Sequence, residues 1–199
     1  MLLSPLHRTV PRDTQSGASL IIVLLILVVV SLLGVGGAQI AIMSERGARN
    51  DRDQQVAWQA AEAALLDAEF DLFDTTAGGN RKALFDGLNQ NLFLTNCGTS
   101  GQSRGLCAIN LTGHQAWLDV DYLDTSGSAP TTKFGQFTGR SFAAGNVGIQ
   151  PRQEPRYVIE MILDPASAPS DPTYLYRVTA MGFGPRVDIQ VVMQILYRI

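Results

Sequence analysis

From Thr14 to Ser44 the chain carries not one charged side chain, and Ala18 to Met43 is apolar almost without a break, interrupted only by Ser19, Ser31 and Gln39. A helix needs about 20 apolar residues to cross a bilayer, whereas a cleavable secretory signal has an apolar core of about 7–15. The run therefore reads as a helix retained in a membrane. The alternative is cleavage near Ala38 or Ala41, after a small-residue pair. Arg8 and Arg12 precede the run and Arg46, Arg49 and Arg52 follow it, so counting Lys and Arg leaves the orientation open.

Residues 1–17 (MLLSPLHRTVPRDTQSG) are polar, hold two prolines and end in Gly17; they read as a leader outside the fold. Beyond the apolar run, Ser44 to Asp74 contains no proline, and Ala57, Ala60, Ala61, Ala64, Leu65, Ala68 and Leu72 recur at three- and four-residue steps. That spacing forms one apolar stripe, with Gln55, Gln59, Glu62 and Glu69 away from it. Glu45 with Arg49, and Arg49 with Asp53, are spaced for i,i+4 support. One helix is expected from Ala18 to Leu72, membrane-spanning over 18–43 and amphipathic over 44–73. At 1.5 Å per residue it would be roughly 80 Å long, far more than a bilayer requires.

The glycine pair in TTAGGN (75–80) ends this helix. A short helical patch is expected around Lys82–Leu94. In QAWLDVDYL, Ala116, Leu118, Val120 and Tyr122 alternate as on a half-buried strand. Residues 124–150, rich in Gly, Ser and Thr, read as a long surface loop. RYVIEMIL (156–163), TYLYRVTAM (173–181) and VDIQVVMQILYR (187–198) are three strands with short links, which favour an antiparallel meander covering a helix on one side. The fold class is thus α+β, with a head over 74–199.

Cys97 and Cys107 sit in NCGTSGQSRGLC, a Gly/Ser-rich segment whose ends can meet. A disulfide closing it would stabilise by somewhat under about 3 kcal/mol and put the head in an oxidising compartment, with the short N-terminus in the cytoplasm. The alternatives are two free buried thiols or a metal site. A metal is disfavoured, because His7 and His114 are the only histidines and no CxxC occurs.

Nothing in the sequence carries an enzyme. His114 lies in a TGH turn without a nucleophile motif nearby. Asp119, Asp121 and Asp124 could meet calcium, but the segment lacks the Gly and terminal Glu of an EF-hand loop, so exposed carboxylates are the simpler reading. No glycine-rich loop joins a strand to a helix, so no cofactor is implied. A net charge of −3 on 199 residues, without basic runs interleaved with aromatics, argues against nucleic acid as a partner.

A polar leader ending in Gly, an apolar helix continuing as an amphipathic one, and a small domain closing in an antiparallel sheet together resemble a type IV pilin precursor. Within that group ERGARNDRDQQVAWQAAEAALLDAE is similar to the PilX family of minor pilins. Glu45, Arg46 and Asn50 match its E-R-x-x-x-N, and Trp58–Leu65 match its aromatic-Q-A-A-E-A-A-L run. YRVTAMGFGPRVDIQVVMQILYR resembles its closing strands. The match covers about 18–73 and 155–198.

The resemblance implies cleavage by a prepilin peptidase after Gly17 and methylation of the new N-terminus at Ala18, where major pilins usually begin with Phe or Met. It implies N-in/C-out insertion in a bacterial inner membrane and packing on other minor pilins and the major pilin through Gly34, Gly37 and Ala41. A tip adhesin is a further partner it allows. Most pilins carry Glu at the fifth mature residue, and this chain has Ile22. A type II secretion pseudopilin of the GspK type, which also lacks that acid, is the nearest alternative, although its larger inserted domain would hardly fit a 126-residue head. A signal-anchored periplasmic binding protein that never assembles is the more distant one.

Overall fold

The computed structural model describes residues 18–73, 81–85, 89–109, 113–168 and 170–198. Helix α1 runs from Ala18 to Phe73. The chain divides into two units, residues 1–48 and 49–199.

In the first unit α1 is helical from Ala18, and Leu20 to Val35 and Ile40 to Met43 expose their large aliphatic side chains. With no sheet to cover them, these side chains make a helix apolar on every side, the pattern of a segment solvated by lipid.

The second unit folds around the rest of α1. After it come β1 (Leu106–Cys107), the one-turn helix α2 (Ala116–Asp119), β2 (Thr132–Lys133), β3 (Arg156–Leu163), β4 (Tyr174–Phe183) and β5 (Gln190–Arg198). The sheet runs β1-β3-β4-β5, with β2 also on β3. The expected meander is present: β3 pairs β4 from Arg156↔Met181 to Leu163↔Tyr174, and β4 pairs β5 from Leu175↔Arg198 to Phe183↔Gln190, both antiparallel. The sheet as a whole is mixed, because β1 lies parallel to β3 with Leu106 beside Ile159.

The alanine stripe packs as its spacing predicts: Ala57, Ala60, Ala61, Ala64, Ala68 and Leu72 are buried. Alanine contributes little apolar area, so its value here is closeness. A Cβ on Gly182 of β4 would fall inside the backbone of α1 at Ala57, Ala60 and Ala61, so helix and strand touch main chain to main chain. Further along, Ala64, Ala68 and Leu72 share a core with Phe85, Phe93, Tyr157, Ile159, Tyr176 and Val178. The Tyr176 ring lies 5.3 Å from Phe85 and 5.9 Å from Phe93. Each such large side chain contributes about 1.5–3 kcal/mol by burial. The opposite face of the sheet is covered by Cys97, Cys107, Ala116 and Tyr122, packed on Val158 and Phe183.

Three expectations for the middle of the chain need correction. Ala116–Asp119 is a helical turn and Leu118 is exposed. The edge of β3 nearest to it is already taken by β1 and β2, and this segment packs over the disulfide instead. Among the described residues of the patch expected over Lys82–Leu94 there are two 3-10 turns, Lys82–Leu84 and Gln90–Leu92, and the rings of Phe85 and Phe93 meet at 6.2 Å. Residues 124–150 are no mere surface loop: Ala129, Thr131, Thr132, Phe134 and Thr138 are buried. The hydroxyls earn that position by hydrogen bonding. Arg156 donates to Thr131 Oγ1 at 2.5 Å, and Thr132 donates to the Arg104 carbonyl at 3.0 Å. The last strand begins at Gln190, because Val187–Ile189 form a turn closed by Gly184 N–H to the Ile189 carbonyl at 2.8 Å.

Candidate functional site

In the first unit, an 18-residue window of α1 has a mean hydropathy of 3.1 and none of it is buried, long and apolar enough to cross a membrane. Ile22 lies within it with 58% of its surface exposed. Ser31 donates to the Leu27 carbonyl at 2.7 Å, so its hydroxyl is satisfied within the helix. A methyl group on Gly34, Gly36 or Gly37 would meet open space, and Ala41 is exposed. These positions form a surface another helix can approach closely. Gly17 lies outside the described residues, and Ala18 is the first residue of α1.

The second unit holds α1 by two buried carboxylates that the sequence reading passed over. Asp71 meets Arg81 in a fork, Nε to Oδ2 at 3.0 Å and Nη2 to Oδ2 at 2.5 Å, with both side chains fully buried. The Tyr157 hydroxyl also donates to Oδ2 at 3.0 Å, and burial first, then the Asp71 charge, holds that phenol protonated well above its ordinary range. Arg81 Nη1 donates to the carbonyls of Gln102 at 3.0 Å and Arg104 at 2.6 Å, and the guanidinium stacks 3.8 Å from the Phe137 ring centre. Arg81 thus joins α1 to the disulfide loop, and Asp71 joins α1 to β3.

Asp67, one helical turn earlier, accepts the Gly135 N–H at 2.7 Å and the Thr138 hydroxyl at 2.5 Å, with Arg140 at 3.8 Å. Burial raises its pKa above the ordinary 3.8, opposed by Thr138, Gly135 and Arg140. The signal for both acids was in the spacing: 64, 67 and 71 step by three and four along the stripe itself.

Cys97 and Cys107 are bonded, with sulfurs 2.02 Å apart. Cys97 adopts a φ of 59°, and Gly105 a φ of +69° with the Thr132 side chain where a Cβ would stand. The loop therefore turns tightly to set Cys107 beside Glu160 of β3. The carboxylates of the acidic segment each meet a near neighbour in the chain. Asp121 Oδ1 accepts Leu123 N–H and Asp124 Oδ1 accepts Ser126 N–H, both at 2.8 Å, while Asp119 lies 3.8 Å from His114. Among the described residues no group of three or more His, Cys, Asp or Glu could hold a metal ion.

Two family models match this chain. PilX N-terminal matches residues 16–66, and type IV pilus assembly protein PilX C-term matches residues 48–199. The chain belongs to the PilX family of type IV pilus assembly proteins. No curated protein and no solved structure matches it. The PilX family is one of structural pilins, and this PilX chain has what such a subunit needs: a long apolar helix fit for a single membrane anchor, and a disulfide-closed head on a sheet.

Proposed function

We propose that this PilX-family subunit is a minor pilin that primes pilus assembly with other minor pilins in the inner membrane and then stays at or near the fibre tip. The observation that carries the reading is Ile22, an aliphatic residue on an uncovered stretch of α1 at the position where pilins usually place Glu. A lone carboxylate in a bilayer is costly, so where it is kept it should have a partner. In a filament that partner is the N-terminal amine of the subunit ahead, and head-to-tail contacts of this kind repeat along an open helix. A leading subunit has nobody ahead of it, and Ile22 removes a charge that would go unpaired there.

The chain is inserted N-in/C-out, trimmed by a prepilin peptidase between Gly17 and Ala18, and methylated at Ala18. The Cys97–Cys107 bond supports an oxidising compartment for the head. Gly34, Gly37 and Ala41 favour close helix packing on other minor pilins and the major pilin, and the head meets other minor pilins or a tip adhesin. The test is Ile22→Glu in piliated cells, with immunogold localisation. The expected result is poor complementation and no label on the shaft. Active protein labelled along the shaft would overturn the tip assignment.

A further inference from the structure

We propose that the free edge of β5 is a docking site for an extended segment of another protein, which adds to the sheet as a further strand. β5 ends the sheet, and its nine residues pair with β4 in unbroken register from Gln190 to Arg198. In an antiparallel ladder, alternate residues turn both N–H and C=O away from their partner. On β5 those groups meet no strand among the described residues.

Natural sheets blunt such an edge with charge, proline, a bulge or a covering element. Between Asp188 and Arg198 there is no charged residue and no proline, and the unbroken register leaves no bulge. The opposite edge is treated differently: β2 covers β3 at Arg156 and Tyr157, and β1 covers it at Ile159 and Glu160. Among the described residues one edge is shielded and the other is open.

The open edge specifies its occupant. A row of main-chain donors and acceptors takes an extended backbone. The exposed side chains from Gln190 to Leu196 are uncharged, with Val192 and Leu196 beside Gln190 and Gln194 on one face and Ile195 on the other. A groove lined by Ile162, Arg177, Gln194, Ile195 and Leu196 runs over the sheet from β3 to β5, and Glu160 matches the Arg177 charge at 2.8 Å. An uncharged strand of aliphatic and small polar residues fits both faces.

A second copy fits poorly. Symmetric β5–β5 pairing is antiparallel about an axis perpendicular to the sheet, and would reverse the direction of the α1 segment packed on that sheet. Chains anchored in one membrane through the same N-terminal helix run the same way. Head-to-tail pairing would need the β3 edge, which β1 and β2 occupy.

The test uses the full chain in detergent micelles and, as probe, an acetylated peptide of alternating Thr and Val between terminal lysines. Amide hydrogen exchange should show alternate β5 amides exchanging faster than those of β4, and slowing about tenfold or more with the peptide. A Val192→Lys, Leu196→Lys double variant should keep the unfolding midpoint and weaken peptide binding about tenfold. The proposal fails if β5 amides are already protected without peptide, in a monomer or in a dimer. It also fails if the peptide does not bind, or binds without protecting β5.

Discussion

Asp67 and Asp71 bring charge onto a helix face that is otherwise alanine, and each is accommodated by a different chemistry. Asp71 has a full counter-charge in Arg81 and a phenol donor in Tyr157. Removing one member of such a buried pair leaves the other uncompensated, which is why these pairs resist change even when they add little net stability. Asp67 relies on neutral donors and a more distant arginine, and its pKa is raised. The sign follows from linkage. A carboxyl whose folded pKa exceeds its unfolded value contributes stability that is complete below the unfolded value and is lost as pH rises through the folded one. Asp67→Asn keeps an acceptor for Gly135 and a donor for Thr138 but cannot titrate. The stability of wild type minus that of Asp67→Asn, from urea unfolding in micelles, should therefore fall as pH rises from below 3.8, the ordinary carboxyl value. A flat or rising difference would refute the raised pKa.

At the level of elements, α1 and β4 approach as closely as they do because Gly182 faces Ala57, Ala60 and Ala61. The alanine stripe predicts a helix that can be approached closely, but not by what. Gly182→Ala would force a methyl into helix backbone, which cannot swing aside as a side chain can, and should cost about 3 kcal/mol, at the top of the usual overpacking range. Gly127→Ala, where a methyl meets open space, should change stability by less than about 0.5 kcal/mol. Equal midpoints for the two variants in urea would show that the close approach is not rigid. The strands read well from sequence because β3 to β5 are long and consecutive. β1 and β2, two residues each, carry no periodicity and exist only because β3 offers an edge.

For the whole molecule, the proposed processing makes a prediction that stands apart from the tip assignment. Coexpressed with a prepilin peptidase, the chain should lose residues 1–17 and begin at Ala18; without it, mass spectrometry should find the full-length protein. Full-length protein in both cases would remove the pilin processing while leaving the PilX membership, which rests on residues 16–66 and 48–199, untouched. The head requires no such processing, since its core and its disulfide lie within residues 49–199.

What the amino-acid order determined alone is local or periodic. The uncharged run demands an apolar solvent, and the alanine spacing demands a helix with one close-packing face. Three runs of β-branched and aromatic residues make the meander, and two cysteines in a supple loop can meet. What the tertiary structure decided depends on partners far apart in the chain. Thr131, Thr132 and Thr138 look like loop residues until Arg156, Arg104 and Asp67 turn their hydroxyls inward. QAWLDVDYL alternates like a strand, but the β3 edge beside it is taken by β1 and β2. Arg81 is one more polar residue after a glycine pair until Asp71 meets it in the core. Burial of a polar group is favourable only when its partner is already there, and that condition belongs to the assembled fold rather than to any segment of it.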